Sequence, residues 1–182
     1  MPRKIIEFLF NVLAVKQFLI FTGTFFVLAA FAMITTDTFV RHAECPGIIP
    51  LELAFTKASF QDIVGKCGVQ GVRAHTMLLW IDYLFVIAYT GFLANLLGSL
   101  VRSIERGRAL NYFSLPILAG VLDAIENTLL LNQLSNPKQL SGLLIFAASA
   151  AASIKFLLLI ATVAIIICYL FLAVSKRAPS AK

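Results

Sequence analysis

Four stretches of this chain are each long and apolar enough to cross a bilayer, and nothing else in it constrains the fold as strongly. They run from about Phe18 to Thr36, Thr76 to Val101, Tyr112 to Leu134 and Gly142 to Val174. A helix crosses about 30 Å of hydrocarbon in about 20 residues, and a helix satisfies its own backbone hydrogen bonds there. The fourth stretch exceeds that length, so it is expected to tilt or protrude. Composition points the same way. Of 182 residues, 60% are hydrophobic and 13% charged, more apolar surface than one soluble core of this size can hide. The expected architecture is all-α: one membrane domain over residues 1–182, a bundle of four transmembrane helices at 18–36, 76–101, 112–134 and 142–174.

Residues 1–17 are expected to form an interfacial helix, because Lys4, Glu7 and Asn11 fall on one stripe of an otherwise apolar segment. The alternative is a simple extension of the first span. The first apolar run shows no small-x-small cleavage site followed by a mature soluble domain, so a retained helix is expected rather than a cleaved signal.

The net charge of +6 could point to nucleic acid, but the basic residues flank apolar segments, where they set topology instead. Arg3, Lys4, Lys16, Arg102, Arg106, Arg108, Lys176, Arg177 and Lys182 fall on one side. Arg41, Lys57, Lys66, Arg73 and Lys138 are spread over longer loops on the other. Both termini are therefore expected to be cytoplasmic, with the loop 37–75 outside.

That outer loop carries its own helix signals. Pro46-Gly47 makes a turn, and Pro50 suits the first position of a helix over Leu51, Glu52, Leu53, Ala54 and Phe55. Ser59 with Asp62 reads as a second helix start, and Gly68 as its stop. Leu51, Phe55, Phe60, Ile63 and Val64 give these pieces an apolar side, so they are expected to cap the bundle's outer mouth. Cys45 and Cys67 lie in this loop. Facing an oxidising compartment, they are the pair most able to form a disulfide, with two free thiols as the alternative. No C-x-x-C pair exists, and His42 and His75 lack ligand spacing, so no zinc site is expected.

The chemistry-bearing signal lies inside the spans. Asp123, Glu126 and Asn127 are spaced i, i+3, i+4 on the third span and project from one face. Its eleven Leu, Ile, Val and Phe residues contribute about −3 to −7 kcal/mol to insertion. Two mid-span acids cost about +5 to +7 kcal/mol. Such a helix needs a partner or protonation. Lys155 on the fourth span is the natural partner: counted from the outer ends, Asp123 lies about 17 Å deep, Glu126 about 12 Å and Lys155 about 20 Å. Asp82 lies about 9 Å deep on the second span. His75, Asp82 and Tyr89 are seven residues apart, so Asp82 and Tyr89 join the cluster if that face points inward.

Three carboxylates against one ammonium cannot all stay ionised in a dry site, so either a proton or a cation is expected there. The same residues also serve simply to hold helices together. Asn127, Asn95 and Asn132 suit that role individually, and Tyr83 and Tyr89 suit aromatic packing. Glu52 either sits over the mouth facing the cluster or merely satisfies a helix dipole. The small-residue run Ala147–Ser153 before Lys155 favours close helix packing; the alternative is a smooth wall beside a lipid chain.

Three functions fit this pattern. The first is binding or transport of a proton, cation or cationic or lipid small ligand, with an outward-opening cavity between spans two, three and four. The second is a non-catalytic subunit of a larger membrane complex, with a membrane partner chain. The third is a lipid-acting enzyme whose paired acids hold a divalent metal or act as acid and base. Nothing specifies a nucleophile, triad or phosphate cradle, so an enzyme is the least favoured, and no cofactor is assigned.

Pro46-Gly47-Ile48 with Glu52-Leu53-Ala54, Asp82-Tyr83-Leu84-Phe85 through Tyr89, Asp123-Ala124-Ile125-Glu126-Asn127 and Lys155-Phe156 together resemble a group of small bacterial four-span membrane proteins. Asp-x-x-Glu-Asn in span three, with a Lys in span four, is the most distinctive part. The resemblance implies the same topology in a bacterial inner membrane and that these polar residues belong together. It brings no activity with it, and the cysteines are not part of it.

Overall fold

A computed structural model describes residues 16–42, 45–104 and 109–175. All of the interfacial helix expected over 1–17 except Lys16 and Gln17, and seven of the nine basic residues expected on the cytoplasmic side, lie outside the described residues. The described chain is all-helical: α1 (Lys16–His42), α2 (Ile48–Glu52), α3 (Lys57–Ile104), α4 (Ala109–Ser135) and α5 (Gly142–Ser175). The four long helices are each apolar and long enough to cross a membrane.

α1 outlasts the expected end of its span at Thr36. The hydroxyls of Thr35, Thr36 and Thr38 each return to a carbonyl four residues back, at 2.9, 2.8 and 2.7 Å, so these polar residues are satisfied within the helix, which continues past them. Asp37 then links α1 to α2: its Oδ1 accepts the Ile48 N–H at 2.9 Å, and its Oδ2 accepts from Arg41 at 2.7 Å. α2 therefore starts at Ile48, and Pro50 is its third residue rather than its first.

The second cap helix also differs from expectation. Its N-terminal cap is Thr56, whose Oγ1 accepts the Ser59 N–H at 3.1 Å, so it starts at Lys57 and not at Ser59. Gly68 stops that cap helix as expected: it takes a non-helical φ 59° and ψ −171°, which a glycine tolerates, and the second span resumes directly after it, so that the two helices run on as the kinked element α3.

α3, α4 and α5 pack on one another, and α1 lies along α3. Gly120 brings α4 hard against α3, where a Cβ would collide with the Thr90 hydroxyl. Ala148, Ser149, Ala151 and Ala152 are buried, giving the small-residue run of α5 its packing face. Two apolar clusters fill the interior. One, at the cap end, includes Leu51, Phe60, Leu79, Leu130 and Ile145; the other includes Leu97, Val101, Phe113 and Ile166. The polar layer lies between them along α3, α4 and α5.

Candidate functional site

Lys155 is the hub of that layer. Its ammonium donates to Asp123 Oδ1 at 2.8 Å and lies 2.7 Å from Glu126 Oε2 and 3.4 Å from Glu52 Oε1. The Glu126 contact is an ion pair off the hydrogen-bond axis, so neither Glu126 oxygen has an aligned donor. Asp123 is shared, since its Oδ2 accepts the Tyr89 hydroxyl at 2.9 Å. Asn127 donates from Nδ2 to Asp82 Oδ2 at 2.7 Å, and Asp82 is in turn an electrostatic neighbour of Asp123.

The helical spacing explains the convergence. Asp123, Glu126 and Asn127 occupy one face of α4; Asp82 and Tyr89 are two turns apart on one face of α3; Lys155 reaches in from α5. All are sealed: Glu52, Asp82, Asp123, Glu126 and Lys155 are 4, 4, 3, 0 and 3% exposed. Tyr89 and Asn127 are buried too. The site is closed, without the outward opening expected for a ligand-binding centre.

Glu52 arrives from outside the spans. α2 is followed by a tight turn in which Phe55 adopts φ 52°, costly for a bulky residue. The Phe55 N–H donates to Ser149 Oγ at 2.9 Å, and the Phe55 ring meets Phe146 edge-on at 6.2 Å. This latch onto α5 seats Glu52 over Lys155. Burial pushes the Glu52 carboxyl up to about 7, and the Lys155 ammonium pulls against that rise. Nothing in the sequence spacing pointed to Ser149, which read only as one of several small residues.

Four carboxyls thus share one ammonium, three in direct contact with it and Asp82 beside Asp123, one more than the three spans alone supply. Fully ionised they would leave three uncompensated negative charges in a buried site. Coulomb repulsion there is too large to sustain, so the layer must take up protons or cations. Glu126 Oε1 and Asn127 Oδ1 are buried acceptors with no hydrogen-bond donor, the places where such a proton or cation would be satisfied.

His75 does not enter this layer, although it shares a helical register with Asp82 and Tyr89. Its Nδ1 lies 3.3 Å from Cys45 Sγ and 3.2 Å from the Gly71 carbonyl. Cys45 and Cys67 are joined as a disulfide. The two sulfurs and the imidazole lie within 4.8 Å of one another, but bonded sulfurs offer no thiolate to a metal. Asn95 bonds Thr22 at 3.4 Å and Tyr83 bonds Thr128 at 2.7 Å, so both join helices away from the layer. No protein-family model, curated protein or solved structure matches this chain.

Proposed function

We propose that this is a multi-pass protein of a bacterial inner membrane, both termini cytoplasmic, whose buried acidic centre binds a proton or small cation for passage across the bilayer. One observation carries the proposal: three carboxyls from α2 and α4 lie within 3.4 Å of the single ammonium of Lys155, with the carboxyl of Asp82 from α3 beside Asp123, and all of them are buried. Ionisable groups at this depth are costly and are retained mainly where they do work. Protons and cations would compete for the same carboxyl oxygens, so cation binding should release protons.

In this orientation α2 is an outer lid. Glu52 would couple access to charge, because lifting the lid removes one carboxyl from the centre and uncovers Lys155. The closed packing of the layer favours one other reading, a purely structural lock within a larger membrane complex. The experiment separates the two. Purified protein in weakly buffered detergent solution is titrated with Na⁺, K⁺, Mg²⁺, Ca²⁺ or an alkylammonium salt while released protons are read with a pH indicator. Release that disappears in Glu126→Gln, with thermal unfolding unchanged, supports the proposal. No release with any cation, or a Glu126→Gln variant that merely fails to fold, supports the lock.

A further inference from the structure

We propose that the groove between the kinked start of α3 and the α4–α5 connection binds a long-chain fatty acid, with its carboxylate on Arg73 and its chain along the groove. The cavity measures about 600 Å³, within the range of small-molecule sites. Its walls are Phe60, Val64, Val72, Leu134 and Leu140, so its interior suits hydrocarbon. The bend at Gly68 sets the two halves of α3 at an angle and opens the groove between them and residues 137–140. Side chains at Gly65 and Gly68 would meet nothing within 4 Å, so glycine at these places leaves the space free.

Arg73 supplies the head-group chemistry. It lines the cavity, is exposed, and has no ion pair or hydrogen bond among the described residues. Two other cations near this end are already engaged, Arg41 by Asp37 at 2.7 Å and Lys66 by Asp62 at 2.6 Å, and neither they nor Lys57 and Lys138 line the groove. A guanidinium accepts a carboxylate in two parallel hydrogen bonds. Among the described residues Arg73 is the one charged residue that lines the groove, and a single cation there fits a single chain with a single acidic head better than a two-chain phospholipid. The apolar Val69, 72% exposed on the same wall, would be covered by such a chain.

The test uses the full-length protein in detergent and a long-chain fatty acid carrying a photoreactive diazirine on its chain, with the alcohol of equal length as control. Labelled peptides are mapped by mass spectrometry. The fatty acid should label residues 60–73 and 133–140 about tenfold more than the alcohol does. Arg73→Gln should bring the acid down to the alcohol's level. Gly65→Leu, which grows into the groove, should reduce labelling by both probes, and excess unlabelled fatty acid should compete. Both changes fall at the surface, and unchanged thermal unfolding verifies the fold. The proposal is overturned by equal labelling with acid and alcohol, by labels spread evenly over the lipid-facing helices, by no effect of Gly65→Leu, or by competition from an anionic phospholipid alone.

Discussion

The seam between α1 and α3 and the seam joining α3, α4 and α5 are built from different forces. Along the first, Phe26 stacks on Phe85 and Phe92 at 5.7 and 5.2 Å, and the hydrogen bond from Asn95 to Thr22 is a long 3.4 Å. α1 leaves Phe21, Phe31 and Phe39 exposed. Along the second, an ammonium and four carboxyls meet with Tyr89 and Asn127. In lipid, apolar contact gains little over contact with acyl chains, so polar contacts decide which helices must sit together and in what register. The α3–α4–α5 unit is specified; α1 is attached.

The sharpest way to break this contrast is Lys155→Met. It leaves four buried carboxyls without their cation and should cost about 3–5 kcal/mol or abolish folding, read as loss of folded protein in detergent. If Lys155→Met folds as well as the parent, the centre is not an ionic hub. Next comes the cap. Reducing the disulfide, or replacing Cys45 and Cys67 by Ala together, frees a link spanning 22 residues and should cost about 2–4 kcal/mol, measured by thermal unfolding with and without reductant.

A smaller and pH-dependent effect belongs to Glu52. Its carboxyl keeps a proton up to about 7 when the lid is closed, against its ordinary 4.5 when exposed. The closed lid therefore binds more protons between those values. Closure carries no penalty from this group below about 4.5, weakens as pH rises, and is weakest above about 7. Hydrogen exchange at the Phe55 amide, corrected for intrinsic rate, should show lid opening rising by at most about tenfold per pH unit across that window. Glu52→Gln should remove the dependence and keep the lid shut; an identical pH profile in that variant would separate Glu52 from lid movement. The smallest effect falls on the attached helix: Asn95→Ala should cost about 0.6 kcal/mol and leave the polar layer untouched, checked by unfolding and by proton release. A loss as large as that of Lys155→Met would erase the distinction between the seams.

Much of the specified unit was legible before any coordinates. Asp123, Glu126 and Asn127 share a helix face by spacing alone, and Lys155 matches their depth at a fixed rise per residue. The cap was less legible. Pro50 and Ser59 carry genuine helix-start chemistry, yet Asp37 took the first role through a contact eleven residues along the chain, and Thr56 took the second as a local cap three residues before Ser59. His75 shared a register with Asp82 and Tyr89, but a period of seven fixes only a face. The bend at Gly68 decides what that face meets above the layer, and there it meets the disulfide.

By itself the sequence determined the long apolar helices and the burial of ionisable groups within them, because helix rise, bilayer thickness and the cost of burying charge are properties of the chain and its solvent. Tertiary structure alone decided that Glu52 joins Asp123 and Glu126 on Lys155, that the layer is sealed between two apolar clusters, and that the helix broken at Gly68 resumes at once as the second span. Those outcomes depend on contacts such as that between Phe55 and Ser149, 94 residues apart, which no local periodicity encodes.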